Sequence, residues 1–469
     1  MIGRRGFLVG AGATGGLVLA GGLAACSSDS SSSDGASGGG STPGGATTTT
    51  AAATDPLVDA FYAGVPLVVT MRTMQTFAGL VGVNRLFATR ALTNADSRFV
   101  VAPNNDTLYA IAVLDLSIGA HALALPEIAD RYHVVQILDA WMGQVGLLGT
   151  RATGGEAGTW VIAREGAEPD DLGDAELLAC PTDHCFVLAR IRATAADVDE
   201  AAAIAGSIRL EPFGAQLDRE PLLPAPVGPP NEVGGNGAAY FDELGDLLGL
   251  DGPVGEAATA ALAEVDDLVG PGRHPTEEAP ERTDELAAAV SDGLDALDAA
   301  LAAGSDDAVD GWAVRLDLGM GGDDLPLPDQ ALIARSFWGP VPAEEAVYPR
   351  CVAADDGEAL DGSKRYRIVL PGDDLPPVDA FWSYTVYGED LFFVPNPIDR
   401  FSLSGETPGL VAADDGTITI ALQPDDPADD AVNWLPTPDG PFTLIMRCYL
   451  PQRAILDGEY RYPPVEVMV

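Results

Sequence analysis

The sequence predicts a mainly β chain with helical insertions, an α+β organisation in which two antiparallel β-sandwich or jelly-roll-like domains are joined by a helical region. Three observations carry that prediction. Short β-rich runs bounded by Gly, Pro, Asn or Asp begin near residue 98 and return from residue 346 to the end. Between them, from 236 to 304, the chain turns alanine- and acid-rich, with apolar residues at helical spacing. No glycine-rich phosphate loop stands between a strand and a helix, which argues against a nucleotide fold and leaves the chain without a cofactor motif.

The first 25 residues place Arg4-Arg5-Gly6-Phe7-Leu8 ahead of an apolar run too short and too glycine-rich for a stable membrane span. The arginine pair resembles a twin-arginine export signal, and Leu23-Ala24-Ala25-Cys26 resembles a lipobox in which Cys26 becomes the lipidated first residue. Residues 26–53 form a Ser/Gly/Thr tract with too little apolar surface to fold. Such a tether has a reach of about 30 Å. The expected location is outside the cell membrane, with the lipid on Cys26 as the one membrane contact.

Residues 54–195 open with Thr54-Asp55-Pro56, a capping residue followed by proline, and a dense apolar stretch that predicts one or two helices. The runs TLYAIAVLDL, RYHVVQILDA, GTWVIA and CFVLARIRA then predict a β-sandwich. Residues 196–345 form the helical middle region, where Leu286, Val290, Leu294, Leu297 and Leu301 mark one helix face. Residues 346–469 return to strands, among them KRYRIVL, VDAFWSYTVYG, GTITIAL and PFTLIMRCYL. No repeat of 20 to 50 residues is visible, although two β regions flanking helices are compatible with a diverged duplication.

The formal charge is -46, from 71 acidic and 25 basic residues, with Lys364 the single lysine. Nucleic acid and anionic lipid surfaces are therefore poor partners. Cys180, Cys185, Cys351 and Cys448 remain once Cys26 is set aside. The segment Cys180-Pro-Thr-Asp-His-Cys185 has one histidine and no second close pair, so a disulfide loop or buried thiols are expected there rather than a metal.

The histidines, His121, His133, His184 and His274, lie in no zinc-binding or nucleophile-activating spacing, and no G-x-S-x-G or H-E-x-x-H occurs. Any catalysis must use carboxylates, tyrosines and arginines. In VAPNNDTLY, residues 101–109, the side chains of Asn104, Asn105 and Asp106 can bond their own backbone in a turn, and Asp106 also stands at a sheet rim as a candidate base or anchor. Arg151 enters apolar surroundings and calls for a carboxylate, Asp106 or Asp139, or an anion.

Period two in FWSYTVY puts Trp382 and Tyr384 on one strand face, opposite Phe381, Ser383, Thr385 and Tyr387. The same parity sets Arg447 beside Tyr449 in an apolar strand, where the arginine needs a partner or a cavity. The proline-fixed loops around Arg400 and Trp434 serve as clasps or cleft walls. The candidate roles are Asp106 as base, Tyr384 as acid, Arg151 and Arg447 as anion stabilisers, and Asn104, Trp382, Arg400 and Trp434 as ligand contacts.

PNNDTLY, AVLDLS, LPEIADRYHVVQILDAW and AGTWVIA resemble the family called domain of unknown function 1254. LDGSKRYRIVL, PPVDAFWSYTVY, VPNPIDRFSL and NWLPTPDGPFTLIMRCYLP resemble its companion, domain of unknown function 1214. The resemblance spans residues 55 to 469 and implies two β-sandwiches around helical elements, often in exported proteins. It implies no particular chemistry. Where that family often has a histidine, this chain has Ala88. The functional expectation is a small organic ligand bound between two β domains, with acid-base chemistry of a hydrolase or lyase kind. The alternative is a non-catalytic envelope binding or scaffolding lipoprotein.

Overall fold

The computed structural model describes residues 55–98, 102–230, 232–303, 308–319 and 322–468; the expected export signal, the expected lipidation at Cys26 and the expected tether fall on residues outside them. Asp55 caps the first helix, its Oδ1 accepting from the Leu57 N–H at 2.9 Å, with Pro56 at the first helical position. That helix, α1 (Pro56–Val81), is long and apolar enough to cross a membrane, yet 89% of its apolar window is buried within the protein. A helix apolar on all sides is a core helix when protein surrounds it. Here α3 (Ala239–Leu248), α4 (Glu256–Ala263), α6 (Thr283–Ala303) and α7 (Leu327–Phe337) do so, and Leu286, Val290 and Leu297 of α6 are buried in the same core. The other helices are α2 (Val198–Ala205), α5 (Pro275–Glu278) and α8 (Arg453–Leu456).

The first sandwich is built from β1 (Phe87–Ala88), β2 (Thr107–Asp115), β3 (Ala120–Leu125), β4 (His133–Asp139), β5 (Gln144–Gly149), β6 (Gly158–Arg164), β7 (Glu176–Cys180), β8 (His184–Arg192) and β9 (Arg209–Phe213). One sheet runs β1-β2-β8-β4-β5 and the other β7-β6-β3-β9. Alternation sends Leu108, Ala110, Ala112, Val187 and Ile137 into the core between the sheets. The opposite face carries Ile111, Val113, Phe186 and Leu188 into the helical core around α1.

The second sandwich uses β10 (Trp312–Ala313), β11 (Ala346–Val347), β12 (Arg350–Cys351), β13 (Arg365–Leu370), β14 (Val378–Gly388), β15 (Ser402–Ser404), β16 (Ile418–Gln423), β17 (Asn433–Pro436), β18 (Phe442–Pro451) and β19 (Glu466–Met468). Its sheets run β10-β12-β18-β14-β15, with β11 also on β18, and β17-β16-β13-β19. The order β17-β16-β13-β19 is that of β7-β6-β3-β9 shifted by ten, and β12-β18-β14-β15 is that of β2-β8-β4-β5; the edge place of β1 is taken by β10, and β11 is instead a second partner of β18. The two sandwiches are therefore repeats of one topology, down to a single parallel edge pair in each, β6 with β7 and β16 with β17.

Two boundaries differ from the sequence reading. The first sandwich continues past residue 195, because α2 packs on it and β9 pairs with β3. The second recruits β10 at residue 312, well before 346. Both additions are short edge strands, where alternation over few residues gives little signal.

Candidate functional site

The two repeats meet where β2, β4 and β8 of the first face β14, β15 and β18 of the second, and four of the predicted residues collect at this seam. The PNND turn forms as its residue types dictate: Asn104 Oδ1 accepts from the Asp106 N–H at 2.6 Å. Asn104 Nδ2 is left to donate across the seam to the Tyr449 hydroxyl at 2.7 Å. Asp106, 2% exposed, points into the second repeat. It accepts from Ser383 Oγ at 2.5 Å and Ser402 Oγ at 3.0 Å, and Arg192 Nη1 stands 3.8 Å away.

Glu345 does the same in reverse. It sits three residues before Tyr348, as Asp106 sits three before Tyr109, and Pro342 matches Pro103 in the pair PVPAEEAVY and VAPNNDTLY. Its carboxylate, 1% exposed, accepts from the Tyr132 hydroxyl at 2.8 Å and from Arg151 Nε at 2.7 Å, both in the first repeat. Arg151 thus has a carboxylate partner, but Glu345 rather than Asp106 or Asp139. Gly149 supplies the turn that aims it: φ is 123°, and a Cβ there would stand 2.4 Å from the His133 carbonyl oxygen.

Between these clasps lie two matched cross-strand pairs. Tyr109 is opposite Arg190 in the β2–β8 register. Tyr348 is opposite Arg447 when the register of β11 and β12 against β18 is continued by one residue. Arg190 Nη1 donates to Gln136 Oε1 at 3.0 Å, and Arg447 Nη1 to Thr385 Oγ1 at 2.8 Å. Gln136 and Thr385 stand at equivalent places on β4 and β14, two residues beyond Val134 and Ser383, which face the two arginines.

Arg190 also reaches the Gly339 carbonyl at 2.7 Å, and Arg447 the Tyr387 hydroxyl at 2.6 Å and the Ala102 carbonyl at 3.2 Å. Neither arginine has a carboxylate within ion-pair distance among the described residues. Burial pushes the Tyr109 and Tyr348 phenols up from their ordinary values, and both Arg190 and Arg447 pull each of them back down. The four residues form one electrostatic group.

Arg192, which sequence reasoning missed, ties the seam at its first clasp. It donates to Glu406 Oε2 and Ser404 Oγ, both at 2.8 Å, and to the Asp106 carbonyl at 3.0 Å, and it lies 4.0 Å over the Phe381 ring. Phe381 in turn stacks on Tyr449 at 4.2 Å between centroids. The signal that marks Arg192 in the sequence is its parity with Arg190 in RIR, which puts both arginines on one strand face.

The other predicted residues lie elsewhere. Tyr384 and Trp382 point away from Ser383 into the second core, against Trp312, and the Tyr384 hydroxyl is buried with no hydrogen-bond partner. Asp106 and Tyr384 therefore stand on opposite sides of β14, and the base-and-acid pairing expected of them is not formed. Arg400 lines a loop pocket away from the seam, and its Nη1 donates to the Trp434 carbonyl at 2.7 Å.

Cys180, Cys185, Cys351 and Cys448 are buried free thiols. His184 is buried against Asp251, with Nδ1 2.5 Å from Oδ2, and its other nitrogen meets the Leu222 carbonyl at 2.6 Å. Among the described residues no three His, Cys, Asp or Glu side chains converge in a way that could hold a metal ion.

Residues 83–212 match the family described as a protein of unknown function, DUF1254, and residues 345–453 match that described as DUF1214. No curated protein matches the chain. Among solved structures, the VPA0106 protein from Vibrio parahaemolyticus is 20% identical, with a TM-score of 0.65 over 88% of this chain and 100% of its own. An uncharacterized protein from Burkholderia cenocepacia is 17% identical, with a TM-score of 0.46 over 90% of this chain and 91% of its own. The first of these shares the fold.

Proposed function

We infer that this chain, which belongs to the family pairing a DUF1254 unit with a DUF1214 unit, is a non-catalytic binding protein for a small organic anion. It acts outside the cell membrane, exported by its twin-arginine segment and held there by a lipid on Cys26. One observation carries the binding reading. In a chain of 71 acidic residues, Arg190 and Arg447 have no carboxylate within ion-pair distance among the described residues, and they stand opposite two half-buried phenols at the seam. A guanidinium withdrawn from water calls for counter-charge, and a ligand carboxylate between hydroxyl donors supplies it. Against acid-base chemistry stand the hydrogen bonds that occupy Asp106 and the distance of Tyr384 from it.

Calorimetric titration of the full chain in detergent with a panel of small aliphatic and aromatic carboxylates tests this reading. A binder should be found, and Arg190→Gln and Arg447→Gln should each weaken it at least about tenfold, the loss expected for one charge-assisted contact. No binder in the panel, or a binder indifferent to both substitutions, sinks the proposal.

A further inference from the structure

Between β9 and α3 the chain runs as a proline-rich strap, residues 214–230, with no helix or strand. Midway along it, Leu222 is tied to the first sandwich by both of its backbone groups. Its N–H donates to Asp115 Oδ2 at 2.7 Å, and its carbonyl lies 2.6 Å from His184 Nε2. Asp115 and His184 are opposite each other in the β2–β8 register, and both are buried. One pair of facing side chains therefore grips one residue of the strap.

The partners of the imidazole determine its charge. His184 Nδ1 lies 2.5 Å from Asp251 Oδ2, while Asp251 Oδ1 accepts from the Asp183 N–H at 2.7 Å and the His184 N–H at 3.2 Å. A carboxylate supplied with donors in this way stays ionised, and the Leu222 carbonyl can only accept. Both ring nitrogens thus face acceptors, and the imidazolium is the one form with a hydrogen on each. Burial opposes that charge, but Asp251 and the Leu222 carbonyl outweigh it, and His184 is held above its ordinary value. Asp115 acts in the same direction, and Arg219 of the strap stands 4.0 Å from it. Asp183 turns to Arg164 at 3.1 Å, the Cys180 and Cys185 thiols lie in the core between the sheets, and Asp139 on β4 feels Asp251. Without its proton the ring would set a lone pair against the Leu222 carbonyl or the Asp251 carboxylate, and Asp251 has no other ion-pair partner among the described residues.

We propose that His184 is a pH-dependent latch: as an imidazolium it holds the strap at Leu222, and on losing its proton it lets residues 214–230 lift from the sandwich. The latch is independent of the seam. Because the folded value lies above the ordinary 6.5, the hold is complete below about that pH and is lost as pH rises through the folded value. Hydrogen exchange of the full chain in detergent reads it, with intrinsic exchange at each pH divided out. Protection of peptides covering 214–230 should fall at least about tenfold from acid to alkaline pH, the loss expected for one charge-assisted hydrogen bond. Peptides of α1 should keep theirs, which separates a lifted strap from global unfolding. Asp139→Asn removes the other group that titrates nearby and should leave the fall in place, whereas Asp251→Asn should move its midpoint to lower pH.

If Asp251→Asn does not fold, nitrogen NMR of the histidine rings in the natural chain decides, with His184→Gln identifying the His184 signals. Both nitrogens of that ring should carry a proton in acid, with a midpoint above about 6.5. A midpoint at or below that value, strap protection that does not change with pH, or a fall that disappears in Asp139→Asn overturns the latch.

Discussion

Asp106 and Glu345 hold the same place in two copies of one fold, and each carboxylate is received by the other copy. Asp106 is met by Ser383 and Ser402 of the second sandwich, Glu345 by Tyr132 and Arg151 of the first. Asp106→Asn and Glu345→Gln each leave buried donors aimed at a weaker acceptor. Each should destabilise the protein by about 2–4 kcal/mol, the range for breaking one side of a buried charged network. Urea denaturation measures this, and a loss below about 0.5 kcal/mol for both would refute the clasps.

Tyr384→Phe should leave stability unchanged or raise it by up to about 1 kcal/mol, since it removes a buried hydroxyl that has no partner. The substitution should also leave binding at the seam intact. A large drop in affinity without a drop in stability would restore Tyr384 as a site residue.

Much of the fold was legible because alternation in strands and the three-and-four spacing of Leu286, Val290 and Leu297 report directly on which face is buried. Parity in FWSYTVY separated the two faces of β14 correctly, but parity does not say which face meets the other domain. The aromatic pair Trp382 and Tyr384 drew attention to the core side, while Ser383 and Thr385 faced the seam. The duplication showed in the sequence only as two β regions flanking helices, because the matched motifs, VAPNNDTLY and PVPAEEAVY, share little beyond a proline, an acid and a tyrosine. Their spacing of 239 residues exceeds the period of any short repeat, and only strand order makes it plain. Glu345 lay at the edge of the region read as helical, so nothing local marked it as a partner for Arg151.

Stability should depend on pH through Asp139. Burial pushes its carboxyl up to about 6, against the opposing hydrogen bonds from the Gly143 and Trp141 N–H groups. Its folded value lies above the unfolded one of about 3.9, so the folded state binds the proton more tightly. That contribution is complete below the unfolded value and is lost as pH rises through about 6. Asp139→Asn keeps an oxygen for both N–H groups and cannot titrate. It should match the natural chain near pH 4 and exceed it by about 1–3 kcal/mol near pH 7.5; a difference that does not change with pH would count against this account.

The thiols should be silent in the folded protein. Burial pushes the Cys351 thiol up to about 12, and Cys180, Cys185 and Cys448 have no exposed surface. A bulky aromatic disulfide reagent should find none of these four until denaturant is added, and then all four. Rapid labelling of any of them under native conditions would contradict this burial.

Because each sandwich keeps its anchoring acid in the other, neither half carries a finished surface of its own. A chain cut within the helical region yields two pieces that must find one another before either is complete, much as strangers each holding the other's key. The ancestor of such a protein would have met the same requirement with an identical twin, so the present chain can be seen as a symmetric dimer that became covalently continuous. Its two halves were then free to diverge residue by residue while the exchange between them was kept.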